Sequence, residues 1–171
     1  DIIKYLIEQN NNFTDLAINS AKTKEIKELL ETNKHLIKNH IKIITNYKVD
    51  NKIYIDKFKF SEAIKNILNN SIEAFIETNV ENRVIIIKTE SINNHLNLKI
   101  QDNAGGIDEK ILSKIIEPYF TTKHQSQGTG LGLTNTYKTI VEMHKYLLSF
   151  DNCQTIFENK NYKGLNVTIT F

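Results

Sequence analysis

The chain has 171 residues, 25% of them charged and 40% hydrophobic, with a formal net charge of +2. That is enough for one domain with its own core, and too mild a charge to argue for nucleic acid or a membrane surface as partner. The only cysteine is Cys153, which excludes a disulfide framework or a thiolate metal cluster within one chain, and no apolar run approaches a membrane span. A reducing, cytoplasmic setting fits best, and the first residues do not form a signal peptide. The chain begins at Asp1 without methionine and is read as a fragment.

In chain order, residues 1–20 read as a helix end, interrupted at Asn10-Asn11-Asn12, followed by a connector. Lys24 to Asn39 has the apolar spacing of an amphipathic helix. Ile41–Ile43 and Ile53–Ile55 alternate as short strands around a polar turn at Asp50-Asn51. Phe58 to Glu77 is a long helix with Phe60, Ile64, Ile67, Leu68, Ser71 and Phe75 on its inner side. Val84–Ile87 and Leu96–Asp102 read as strands, the first of them apolar throughout. Asp108 is the expected N-cap of a helix to Ile116, Pro118–Gly128 a loop, and Leu131–His144 a helix. Strands are expected near Leu147–Phe150, Thr155–Phe157 and Leu165–Phe171. Helices and strands mix without strict βαβ alternation, which favours an α/β two-layer sandwich over a doubly wound parallel sheet.

The glycines point to a site. Five of the six fall in two clusters, Gly105-Gly106 and Gly128, Gly130 and Gly132, with the only proline, Pro118, between them. Glycine lets backbone approach a ligand closely. Strand alternation puts Asp102 on the same face as Leu96, Leu98 and Ile100, a carboxylate on the apolar side of the sheet. Beside Gly105-Gly106 it would suit a planar ligand with an exocyclic amine, such as adenine; the bland alternative is a solvated turn cap. Glu62, Asn66 and Asn70 follow at i, i+4 steps on the long helix. Amide oxygens there could hold Mg²⁺, although asparagine is abundant and the pattern alone reads better as a solvated face. Gly128-Thr129-Gly130-Leu131-Gly132-Leu133 opens a helix, where backbone N–H groups favour phosphate. It fits neither the dinucleotide fingerprint nor the P-loop. Lys123 and His124 precede it and could add positive charge.

Taken in order, these pieces resemble the catalytic domain of sensor histidine kinases. Asn66–Ser71 resembles the N box, Asp102–Ile107 the first glycine box, Glu117–Lys123 the F box and Gly128–Leu133 the second glycine box. The wording is closest to the nitrogen-regulation and oxygen-sensing branch, and the resemblance covers residues 22–171. Residues 1–21 would then be the tail of an upstream helical hairpin or a connector. The resemblance implies the Bergerat ATP-binding fold, a mixed sheet with helices on one face, with ATP and Mg²⁺ as cofactors. It implies that Asn70 binds the metal with Asn66 nearby, and that Asp102 accepts a hydrogen bond from the adenine amine. Gly106 and Ile107 would lie by the base. Lys123, Gly128, Thr129, Gly130, Leu131 and Gly132 would lie toward the phosphates, with Tyr119–Thr129 as a lid. Asn66, Asn70 and Lys123 would serve the transfer itself. The expected partners are the dimerisation and phosphoacceptor hairpin of the same protein and a response regulator receiver domain. The full-length protein would be a cytoplasmic homodimer, whether or not it is anchored to a membrane elsewhere.

Three departures qualify the match. Ala104 stands where relatives usually have glycine, and His144-Lys145-Tyr146 where they commonly have His-Gly-Gly. The early histidines, His35 and His40, are followed by Leu36 and Ile41 rather than an acidic residue, so neither looks like the phosphorylated one. Other enzymes of this fold, ATPases of the gyrase and chaperone type, carry a glutamate base where this chain has Asn66, which cannot take a proton. A serine kinase of the anti-sigma type and a nucleotide-binding pseudokinase are the remaining alternatives.

Overall fold

The computed structural model describes residues 13–17, 41–48, 52–122, 129–157 and 159–171. The expected helix from Lys24 to Asn39, the turn at Asp50-Asn51, His35, His40, Lys123, His124 and Gly128 lie outside them.

Strand β1 (Phe13–Ala17) pairs antiparallel with β3 (Lys52–Asp56) in a small sheet of its own, where the sequence suggested a connector. The main sheet has five strands in the order β2 (Lys42–Tyr47), β4 (Val84–Ile92), β5 (His95–Asp102), β7 (Lys160–Thr170) and β6 (Leu147–Phe157). It is mixed: β2 runs parallel to β4 and the other pairs are antiparallel. The two short strands that read as neighbours around a turn, β2 and β3, therefore belong to different sheets. Their pairing is decided by distant partners, Val84–Thr89 for β2, which alternation alone cannot reveal. The expected strands at Leu147–Phe150 and Thr155–Phe157 are one continuous strand. The polar Asp151-Asn152 between them pairs with Asn166 and Leu165 rather than turning.

Helix α1 (Lys57–Thr78) supplies the second layer. Asp56 caps it by accepting from the Lys59 N–H at 3.0 Å, and Asn79, with φ of 51°, ends it in the left-handed conformation. Phe60, Ile64, Ile67, Leu68 and Phe75 are buried along one side against Ile85, Ile87, Leu98, Ile100, Val167 and Ile169 of the sheet. Phe75 is 0% exposed.

The helix expected from Asp108 to Ile116 is only α2 (Glu109–Leu112), capped by Asp108 and followed by turns. Helix α3 (Gly132–Tyr137) packs on α1 and continues as a π-helical stretch, Lys138–Met143. The sandwich with helices on one face is thus as the sequence implies. Three hairpin and cap positions that glycine often fills are asparagines with positive φ: Asn93 and Asn94 between β4 and β5, and Asn159 between β6 and β7.

Candidate active site

Between α1, the end of β5, α2 and the start of α3 lies a cavity of about 340 Å³. Ile67, Asn70, Asp102, Gly106, Ile107 and Gly132 are among its lining residues. Strand phase brings Asp102 here: it is 4% exposed, in line with buried Leu98 and Ile100. Three donors hold the carboxylate. Oδ1 accepts from the backbone N–H of Ala104 at 3.0 Å and of Leu165 at 3.1 Å, and Oδ2 accepts from Ser71 Oγ at 2.9 Å. An ionised carboxylate offers about four acceptor sites. The protein fills three of them and leaves roughly one for a donor in the cavity.

Asn70 lines the cavity, and its Nδ2 is buried with no hydrogen-bond partner among the described residues. An unspent buried amide is costly unless something else engages the side chain. Asn66 is turned to α3, donating from Nδ2 to the Gly132 carbonyl at 3.3 Å. Neither is on a solvated face. Glu62, one turn earlier, is: it pairs with Lys65 at the surface at 3.1 Å. The i, i+4 row therefore separates into two residues at the site and one outside it.

Gly130 and Gly132 both line the cavity. Gly130 has φ of +64°, and a Cβ there would come within 2.5 Å of the Tyr119 backbone. The Tyr119 N–H donates to the Gly130 carbonyl at 3.1 Å, so the segments flanking residues 123–128 meet at this point. Thr129 and Leu131 do not line the cavity; Thr129 Oγ1 accepts from the Leu131 N–H at 3.4 Å in a local turn. Ala104 is 2% exposed and does not have positive φ, so its methyl group is accommodated without backbone strain.

Ser71, the last residue of the stretch that resembles the N box, meets Asp102 from an apolar helix face, and each satisfies the other. Two contributors escape a reading by motif. Gly164 lies so close to β5 that a Cβ would sit 1.8 Å from the Asp102 carbonyl oxygen. A lone glycine inside a strand is the available signal for such an approach. Asn152 bonds to both the N–H and the carbonyl of Ile107.

The family described as histidine kinase-, DNA gyrase B-, and HSP90-like ATPase matches residues 55–171, most of the chain. The chain belongs to that family. Within it, the chain is an ATP-binding catalytic domain of the histidine-kinase type. Sporulation kinase A of Bacillus subtilis (strain 168) is 36% identical over 130 residues, which are 75% of this chain and 20% of that protein. Sporulation kinase B of the same organism is 31% identical over 170 residues, 92% of this chain and 36% of that protein. The chain thus spans about a fifth to a third of the length of these curated relatives. The nucleotide-free catalytic domain of the histidine kinase ThkA superposes with a TM-score of 0.70 at 25% identity, covering 94% of this chain and 95% of that one.

In this ATPase-family domain, burial pushes the Asp102 carboxyl above its ordinary 3.8, against the downward pull of Ala104, Leu165 and Ser71. The folded state then binds more protons than the unfolded one between the ordinary and the raised value. The stability contributed by this group is full below 3.8 and is lost as the pH rises through the raised value. The urea midpoint of the wild type should therefore rise relative to that of Asp102→Asn as the pH is lowered from 7 toward 4. A constant difference across that range would contradict the burial account.

Proposed function

We propose that this domain binds ATP with Mg²⁺ in the described cavity. In this reading, the γ-phosphoryl is transferred to a histidine on a dimerisation hairpin outside the sequence, from which a response regulator receiver domain takes it. The division of the chain at residues 21 and 22, a homodimeric full-length protein and a cytoplasmic location belong to the same reading. Among the described residues no helix is long and apolar enough to cross a membrane.

The observation that carries the proposal is the buried Asp102 carboxylate with one acceptor site left over. It would accept from the adenine amine, with Gly106 and Ile107 beside the base. Asn70 would hold Mg²⁺, with Asn66 nearby. Lys123, Gly128, Thr129, Gly130, Leu131 and Gly132 would lie toward the phosphates. Among the described residues no group of three or more His, Cys, Asp or Glu side chains could hold a metal by itself. That fits an ion bound largely by phosphate and water, with an amide oxygen from the protein, as Mg²⁺ usually is. When bound, Mg²⁺ would neutralise phosphate charge as the γ-phosphoryl leaves.

The chain's own residues bind and orient. No carboxylate stands at Asn66, and Glu62 faces solvent beside Lys65, so neither offers a base to water near the γ-phosphate. This favours transfer to a partner over hydrolysis.

Equilibrium titration with ATP and GTP tests the base assignment. GTP presents a carbonyl where ATP presents its amine, so GTP should bind roughly tenfold or more weakly. Equal affinities would overturn it. Asn70→Ala in the full-length protein should abolish autophosphorylation while adenosine binding persists, read by acid-labile label and by titration. Normal autophosphorylation would remove Asn70 from the metal site.

A further inference from the structure

We propose that Asn152 is a positioning residue for the base end of the cavity. It holds the Ile107 peptide so that the Gly105-Gly106 turn keeps one shape. The inference rests on the reading of this cavity as an adenine-nucleotide site. Asn152 stands on β6, the edge strand, in register with Leu165 of β7, whose N–H donates to Asp102. It does not line the cavity.

The Ile107 N–H donates to Asn152 Oδ1 at 2.8 Å, and Asn152 Nδ2 donates to the Ile107 carbonyl at 2.7 Å. One side-chain amide thus takes both polar groups of one residue's backbone. Only an amide side chain presents a donor and an acceptor side by side in this way. Asn152 also closes over Gly106: with φ of +75°, a Cβ on Gly106 would fall 2.6 Å from Asn152 Oδ1. From the neighbouring strand, the Lys163 carbonyl accepts the Gly105 N–H at 2.9 Å. The glycine turn is therefore fastened to both strands of the β6–β7 hairpin. Left unfastened, two adjacent glycines sample φ of either sign, and Gly106 and Ile107 would no longer present a fixed wall. Asn152 is itself exposed, so its bonds compete with water and contribute little to global stability. Their effect is local.

The test compares the wild type, Asn152→Ala and Asn152→Asp for adenosine and Mg²⁺-ATP affinity, for amide exchange at Ile107 and for thermal midpoint. Asn152→Ala should weaken adenosine and ATP by the same factor, about tenfold, leaving their ratio unchanged. The Ile107 amide should exchange faster while the thermal midpoint stays near the wild-type value. Asn152→Asp keeps the acceptor for the Ile107 N–H but sets a carboxylate oxygen against the Ile107 carbonyl, so it too should weaken adenosine. Wild-type adenosine affinity in either variant would overturn the proposal. So would a loss confined to ATP, or a loss that only follows a fall in thermal midpoint. If the wild type binds neither ligand, the adenine reading itself fails and this inference falls with it.

Discussion

Gly164→Ala should cost the domain about 3 kcal/mol of stability or more and remove measurable ATP binding. The new Cβ would sit 1.8 Å from the Asp102 carbonyl oxygen, 2.6 Å from its carbon and 3.0 Å from the Asn103 Cα. All three are backbone atoms, so no side-chain rotation relieves the clash. The strands β5 and β7 must part at Asp102. Doing so withdraws the Leu165 N–H, the residue next to Gly164, from Asp102 Oδ1. The same displacement thus exposes the core and unmakes the carboxylate's setting. Urea unfolding with an ATP titration checks both; a variant with wild-type midpoint and affinity would contradict the packing described here.

Asp102→Asn should keep the fold and lose ATP affinity on the order of 10- to 100-fold, the value of a charge-assisted hydrogen bond of roughly 1.5–3 kcal/mol. The asparagine oxygen has two lone pairs, and the Ala104 and Leu165 N–H groups take both. The NH₂ group then stands where Oδ2 was. Ser71 can rotate its hydroxyl to accept from it, so the interior stays satisfied. A ligand amine meets another donor. The effect should be the same for ADP and adenosine, because it concerns the base and not the phosphates. Calorimetric titration of the three ligands measures it; a loss for ATP alone would move Asp102 to the phosphate end.

Asp102 was legible because a strand's period of two needs only local residues: four alternate positions, Leu96 to Asp102, declare one face. The layered fold was legible for the same reason, through the long apolar side of α1. Partnership was not. The β2–β4 pairing joins residues about forty apart in sequence, and nothing within β2 specifies that it is parallel. Strand β6 was divided because Asp151 and Asn152 look like a turn; on an edge strand polar residues face solvent without breaking the ladder. The abundance of asparagine is partly structural. Asn79, Asn93, Asn94 and Asn159 take left-handed φ values, the work glycine does in other chains. Lys145 does likewise, with φ of 62°, in the turn after the π-helical stretch. Asn152 and Gly164 act through atoms far away in sequence, at Ile107 and Asp102. Only the folded chain brings those together.

The transfer reading is tested most directly by mixing this domain with the helical hairpin of its own full-length protein, Mg²⁺ and ATP radiolabelled at the γ-phosphate. Positioning and electrostatics dominate phosphoryl transfer, so a hairpin supplied separately should serve as acceptor at sufficient concentration. Acid-labile label should appear on the hairpin and not on this domain, with little phosphate released when the hairpin is omitted. Label on His35 or His40 of this domain, or rapid phosphate release without an acceptor, would contradict it.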